Sequence, residues 1–126
     1  MAHPEIKEPS AGHPITIEPT QARVQVRVNG ELVADTTAAL ELREATLPAV
    51  QYIPIADVVQ DRLTRTNTNS YCPFKGEASY YSVTTSAGDT VDDVIWTYEQ
   101  PYPAVAAIAG HVAFYPNKAD ISVSAQ

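Results

Sequence analysis

Within five residues the chain places a thiol, a rigid ring, an aromatic, an ammonium and a glycine, as Cys72-Pro73-Phe74-Lys75-Gly76. A lysine three positions from a cysteine favours the thiolate by charge, and the thiolate is the nucleophilic form of the side chain. Glycine lets backbone approach a ligand closely and can turn N–H groups toward an anion. The stretch reads as a ligand-gripping loop in which Lys75 contacts an anionic group. Cys72 and Lys75 are then the catalytic candidates, Cys72 as attacking thiolate and Lys75 as electrostatic catalyst. The plainer alternative makes Cys72 a small buried apolar residue, Pro73 and Gly76 shapers of a turn, and Lys75 a solvated cation.

Two further segments carry aromatic and imidazole side chains in alternation. Period-two spacing puts Trp96 on one strand face with Tyr98, and His111 with Tyr115. If those faces meet, they form a pocket with aromatic walls and polar tips. Lys75, Tyr80, Trp96, Tyr98 and His111 are accordingly the ligand-binding candidates. Tyr80 and Tyr81 point to opposite faces, so one of them alone can join. The same residues also suit core packing with their polar tips satisfied by backbone. Asp57, Asp61, Asp92 and Asp93 are the acidic candidates for proton transfer, but nothing pairs them, and Asp92-Asp93 reads as a solvated turn ahead of a strand. Phosphate-cradling glycine patterns are absent. With one cysteine and with His3, His13 and His111 lacking ligand spacing, neither a metal nor a cofactor is expected.

The elements that must position these residues are mostly strands. Pro4, Pro9, Pro14 and Pro19 punctuate residues 1–20, which reads as a proline-rich arm with room for a short strand at 15–17. The periodic domain, 21–126, starts with Val24, Val26 and Val28. Asn29-Gly30 follows, the dipeptide suited to a type I′ hairpin turn. An unbroken hairpin sets Val28 opposite Glu31, Val26 opposite Val33 and Val24 opposite Asp35. Strands follow at 40–43, 51–53, 78–83, 94–98, 111–115 and 121–123. A two-turn helix is expected over Ile55 to Leu63, a polar loop over Thr64 to Ser70, and a short helix over Ala104 to Ala109 capped by Gly110. The fold class is mainly β: a single compact domain of seven or eight short antiparallel strands with one or two short helices.

Composition narrows the partners. The 126 residues carry a formal charge of −7 with no cluster of Lys or Arg, which disfavours nucleic acid. No apolar run approaches the length of a membrane span and the start lacks a secretory core, so the chain reads as soluble and cytoplasmic.

Taken in order, Asn29-Gly30, Ala34-Asp35-Thr36, Tyr52-x-Pro54, Asp57-Val58, Cys72-Pro73-Phe74-Lys75-Gly76-x-Ala78-x-Tyr80, Trp96-x-Tyr98-x-x-Pro101 and Gly110-His111-Val112-Ala113-Phe114-Tyr115 resemble a known family. It is a family of small, mainly bacterial domains of unknown function under a nucleotidyltransferase-like heading, and the resemblance covers about residues 13–124. It implies a β-tent-like fold, similar to methionine sulfoxide reductases and the ligand-binding domain of cereblon. Many of those proteins hold zinc with four cysteines; a chain with one departs from that pattern. The resemblance also implies that Cys72, Lys75, Tyr80, Trp96 and Tyr98 gather near one groove. The leading expectation is a domain that binds a small molecule there, with Lys75 on an anionic group. The alternatives are an enzyme of nucleotidyltransferase-like or Cys72/Lys75-dependent transfer, and an interaction module that pairs with another protein or with its own copy as a homodimer.

Overall fold

The computed structural model describes residues 6–125; His3 and Pro4 of the proline-spaced start lie outside them. Ten strands form two sheets: β1 Ile15–Pro19, β2 Arg23–Val28, β3 Glu31–Thr36, β4 Leu40–Glu44, β5 Val50–Pro54, β6 Leu63–Cys72, β7 Gly76–Thr84, β8 Thr90–Thr97, β9 His111–Phe114 and β10 Asp120–Ser124. Every pairing is antiparallel, so the chain is mainly β as its composition implies. The larger sheet has the order β1-β4-β5-β9-β8-β7-β6, and the smaller β10-β2-β3.

Alternation divides the large sheet's side chains between two cores. Ile53, Ile95, Val112 and Phe114 face the small sheet and pack with Val24, Val26, Val28 and Val33, all essentially dry. Their neighbours Tyr52, Trp96 and Ala113 face the other way, into a second cluster with Leu42, Tyr80, Tyr98, Val105 and Ile108. Removing a buried valine to alanine in the first core costs about 2 kcal/mol, from lost transfer energy plus the cavity left behind.

Several expectations change. Asn29 and Gly30 do adopt positive φ, 51° and 84°, as a type I′ turn requires. The register beyond them slips at a bulge after Val26, so Val26 faces Ala34 and Val24 faces Thr36. The bulge turns both Val33 and Ala34 into the core, which an unbroken alternation forbids. Ile55 to Leu63 is no α-helix but two 3₁₀ turns, Ile55–Asp57 and Gln60–Arg62. Between them Val58 bridges Ala34, and the Val59 N–H donates to the Val33 carbonyl at 2.8 Å, so the small sheet holds that backbone extended. Pro103–Ile108 is likewise 3₁₀, kinked at Val105, and it buries Val105 and Ile108.

Thr64 to Ser70 is not a loop: it belongs to β6, whose polarity reflects its place at the sheet edge rather than absence of structure. The proline-spaced start enters the sheet as β1, paired along Ile15–Pro19 with β4, with prolines tolerated because β1 is also an edge. Asp92 and Asp93 lie inside β8, where pairing to β7 slips, and Asp93 takes φ 48°.

Candidate functional site

Cys72 to Gly76 is the turn between β6 and β7. The Lys75 N–H donates to the Cys72 carbonyl at 3.2 Å, with Pro73 presetting the second turn position, and Cys72 then pairs with Gly76. Gly76 has φ 114°, and a Cβ there would lie 3.4 Å from the Gln100 carbonyl oxygen. The positive φ is what requires glycine here; the segment after β8 runs alongside the turn, its Tyr102 N–H donating to the Lys75 carbonyl at 3.0 Å.

Lys75 is not solvated. It is 8% exposed, and its ammonium donates to Glu44 Oε1 on β4. The other carboxylate oxygen, Oε2, is 2.7 Å from His13 Nε2, and the His13 ring stacks on Phe74 with centroids 4.0 Å apart. Lys75 Nζ also lies 3.9 Å from Cys72 Sγ and 6.0 Å from the centre of the Tyr98 ring. Burial acts to raise the Glu44 carboxyl, but hydrogen bonds from Lys75 and His13 outweigh it and hold Glu44 below the usual carboxylate range. The expected anion contact is therefore already neutralised from within the chain.

A cavity of 340 Å³ opens beside this pair. It is lined by Lys75 and Glu44, by the aromatic side chains Tyr80, Trp96, Tyr98 and Tyr115, and by Leu47, Pro48 and Val50. Register explains part of this lining. Tyr80 is paired with Trp96, and Trp96 with Ala113, so all three share one face of the sheet, and the two aromatic side chains reach the cavity. Trp96 Nε1–H donates to the Tyr52 hydroxyl at 3.2 Å, and the Tyr115 hydroxyl donates to that of Tyr80 at 3.3 Å, itself 2.8 Å from Ser70 Oγ. The Tyr98 hydroxyl has no hydrogen-bond partner among the described residues, although Tyr98 is only 8% exposed. Burial pushes the Tyr52 and Tyr98 phenols far above their usual value and Tyr115 up to about 12, so all three are neutral donors at physiological pH.

A sequence profile described as a domain of unknown function, DUF427, under the heading NTP_transf_9, matches residues 16–125. The chain belongs to the DUF427 family. No curated protein matches the sequence. In this DUF427 domain Lys75, Tyr80, Trp96 and Tyr98 converge on one cavity, while Tyr81 turns away into the core facing the small sheet. Cys72 is half-buried against the aromatic cluster and does not line the cavity. His111 does not line it either. Parity gives it the Ala113 face, but at the first position of β9, where its Nδ1 sits 2.9 Å from the Ala109 carbonyl.

Sequence reasoning missed Glu44, His13 and Tyr52. One signal for Glu44 was present: Leu40, Leu42 and Glu44 share a strand face, so a carboxylate occupies an apolar parity position. Among the described residues no group of three or more His, Cys, Asp or Glu side chains is placed to hold a metal ion, and a single cysteine cannot supply a four-cysteine zinc site. No helix of the described residues is long and apolar enough to cross a membrane.

Proposed function

We propose that this DUF427 domain binds a small molecule with a flat ring in the 340 Å³ cavity, the ring resting on Trp96 and Tyr115 and facing Leu47 and Pro48. The observation that carries this reading is the Tyr98 hydroxyl, which makes no hydrogen bond among the described residues and lines a space large enough for a ring. No described side-chain oxygen is both buried and unpaired, so this hydroxyl meets solvent in the cavity, where a ligand acceptor would take the place of water. Lys75 supports the same reading, since an ammonium has three N–H donors and its contacts with Glu44 and the Cys72 sulfur use two.

A fragment screen by NMR on the isotope-labelled chain tests it. Flat fragments carrying an acceptor are expected to shift the Trp96 indole N–H. Fragments that bind only elsewhere, or none that bind at all, would overturn the reading. A second reading, an enzyme acting through Cys72, has one observation in its favour: the ammonium 3.9 Å from the sulfur. It requires Cys72 to be alkylated by iodoacetamide at a pH well below the usual thiol value of about 8.5.

A further inference from the structure

Most of the chain's cations are already spent on carboxylates: Arg23 on Asp35, Arg43 on Glu41, Arg62 on Glu31, Arg65 on Glu99 and Lys75 on Glu44. Lys118 is different. Among the described residues it is in direct contact with no carboxylate, although it attracts Asp93 at longer range; its Nζ donates to the Asp92 carbonyl at 2.9 Å and lies 5.8 Å from the centre of the Tyr115 ring. It opens on a second cavity of 250 Å³, lined with Thr68, Tyr80, Asp93, Tyr115 and Asn117. Tyr80 and Tyr115 line both cavities, so the two adjoin.

Asp93 faces this second cavity as a fixed anion. Thr66 donates to its Oδ1 at 2.7 Å and Thr68 to its Oδ2 at 2.6 Å, both from the edge strand β6. Those hydrogen bonds hold its carboxyl below the usual range, and each oxygen keeps a further lone pair. The bulge in β8 that gives Asp93 its left-handed backbone aims it here. One small cavity thus holds a carboxylate and an ammonium that attract each other without direct contact. A ligand that carries both charges in adjacent positions would complete both.

We infer that the paired cavities take an aromatic α-amino acid, its ammonium on Asp93, its carboxylate on Lys118, and its ring passing over Tyr115 to the Trp96 wall. The route is short: the Trp96 and Tyr115 ring centres are 4.5 Å apart. The inference rests on the cavity reading above, and its test separates the two.

The labelled full-length chain is titrated by NMR with L-phenylalanine, phenethylamine, 3-phenylpropanoate and 2-phenylethanol. All four should shift the Trp96 indole N–H, with L-phenylalanine binding about fivefold tighter than either singly charged analogue, since each charge-assisted contact is partly screened by solvent. Lys118→Gln should reduce L-phenylalanine to the affinity of phenethylamine and leave phenethylamine unchanged. Asp93→Asn, which tolerates the same positive φ, should reduce it to the affinity of 3-phenylpropanoate. Equal binding of all four at Trp96 overturns the amino-acid inference and leaves the ring cavity standing. No shift at Trp96 from any of them overturns both.

Discussion

The Glu44 carboxylate accepts a hydrogen bond from the Lys75 ammonium although three strands, β5, β9 and β8, separate β4 from β7 in the sheet. Neighbouring strands lie about 4.8 Å apart, so in a flat sheet β4 and β7 would be about 19 Å apart, beyond the reach of these two side chains. The large sheet must curl, and the ion pair ties its two flanks across the concave side. His13, stacked on Phe74, adds the segment before β1 to the same carboxylate, and the Lys7 N–H donates to the Pro73 carbonyl at 2.8 Å. The cavity is the space this curl encloses.

Breaking the tie on one side should cost more than removing it. Lys75→Met leaves a nearly buried Glu44 with His13 alone, and Glu44→Leu leaves a nearly buried ammonium; each is expected to lose about 3 kcal/mol. The double variant Glu44→Leu/Lys75→Met should lose markedly less than the sum, because no charge is stranded. Urea unfolding of the three variants and the parent chain measures the coupling. Additive losses would mean that the pair does not act as a unit.

The same tie sets a pH dependence. The folded chain holds the Glu44 carboxyl below its ordinary 4.5, so its ionised form is the one that the fold favours. Its contribution is complete above that ordinary value and is lost as pH falls through the lower folded value. Half-buried Glu31, Asp35 and Asp93, also held low, act in the same direction. Stability should therefore fall from pH 5 to pH 3, and Glu44→Gln should shrink that fall when unfolding free energies at the two pH values are compared. An unchanged pH profile in the variant would remove Glu44 from this role.

Local chemistry was legible and long-range closure was not. That Trp96 shares a face with Tyr98, and that one of Tyr80 and Tyr81 alone can join them, follows from strand parity, which the sequence carries directly; the choice of Tyr80 came from the family resemblance. The Asn29-Gly30 turn was equally plain, but the bulge after Val26 depends on what the small sheet packs against, and nothing within the hairpin announces it. β6 looked like a loop because an edge strand exposed on both sides loses its alternation; its β-branched threonines were the remaining sign of a strand. Lys75 looked free because its partner lies 31 residues away on a strand that becomes its neighbour only when the sheet curls. His13 was read as part of an arm for the same reason.

Cys72 offers a direct contrast between the two functional readings. Its sulfur packs on the aromatic cluster outside the cavity lining, so Cys72→Ser should leave fragment binding at Trp96 unchanged while costing about 1 kcal/mol of stability from a hydroxyl placed among apolar neighbours. NMR titration and urea unfolding of the same variant give both numbers. Loss of binding with stability intact would move the chemistry to the thiol.

Tyr98→Phe separates a ligand contact from a structural one most cleanly. A tyrosine hydroxyl that donates within the fold is missed when it is removed, at about 1 kcal/mol or more. The Tyr98 hydroxyl makes no such bond among the described residues and opens on the cavity, so the phenylalanine variant should be as stable as the parent or slightly more so. Its ring keeps the same packing against the aromatic cluster and the same cation–π distance to Lys75. If the hydroxyl exists to meet a ligand acceptor, binding of an acceptor-bearing fragment should weaken by about tenfold, the value of one well-placed hydrogen bond, while a fragment without the acceptor binds as before. Equal binding by parent and variant, at equal stability, would leave the hydroxyl without a task in the cavity and shift the recognition to Lys75 and the tryptophan wall.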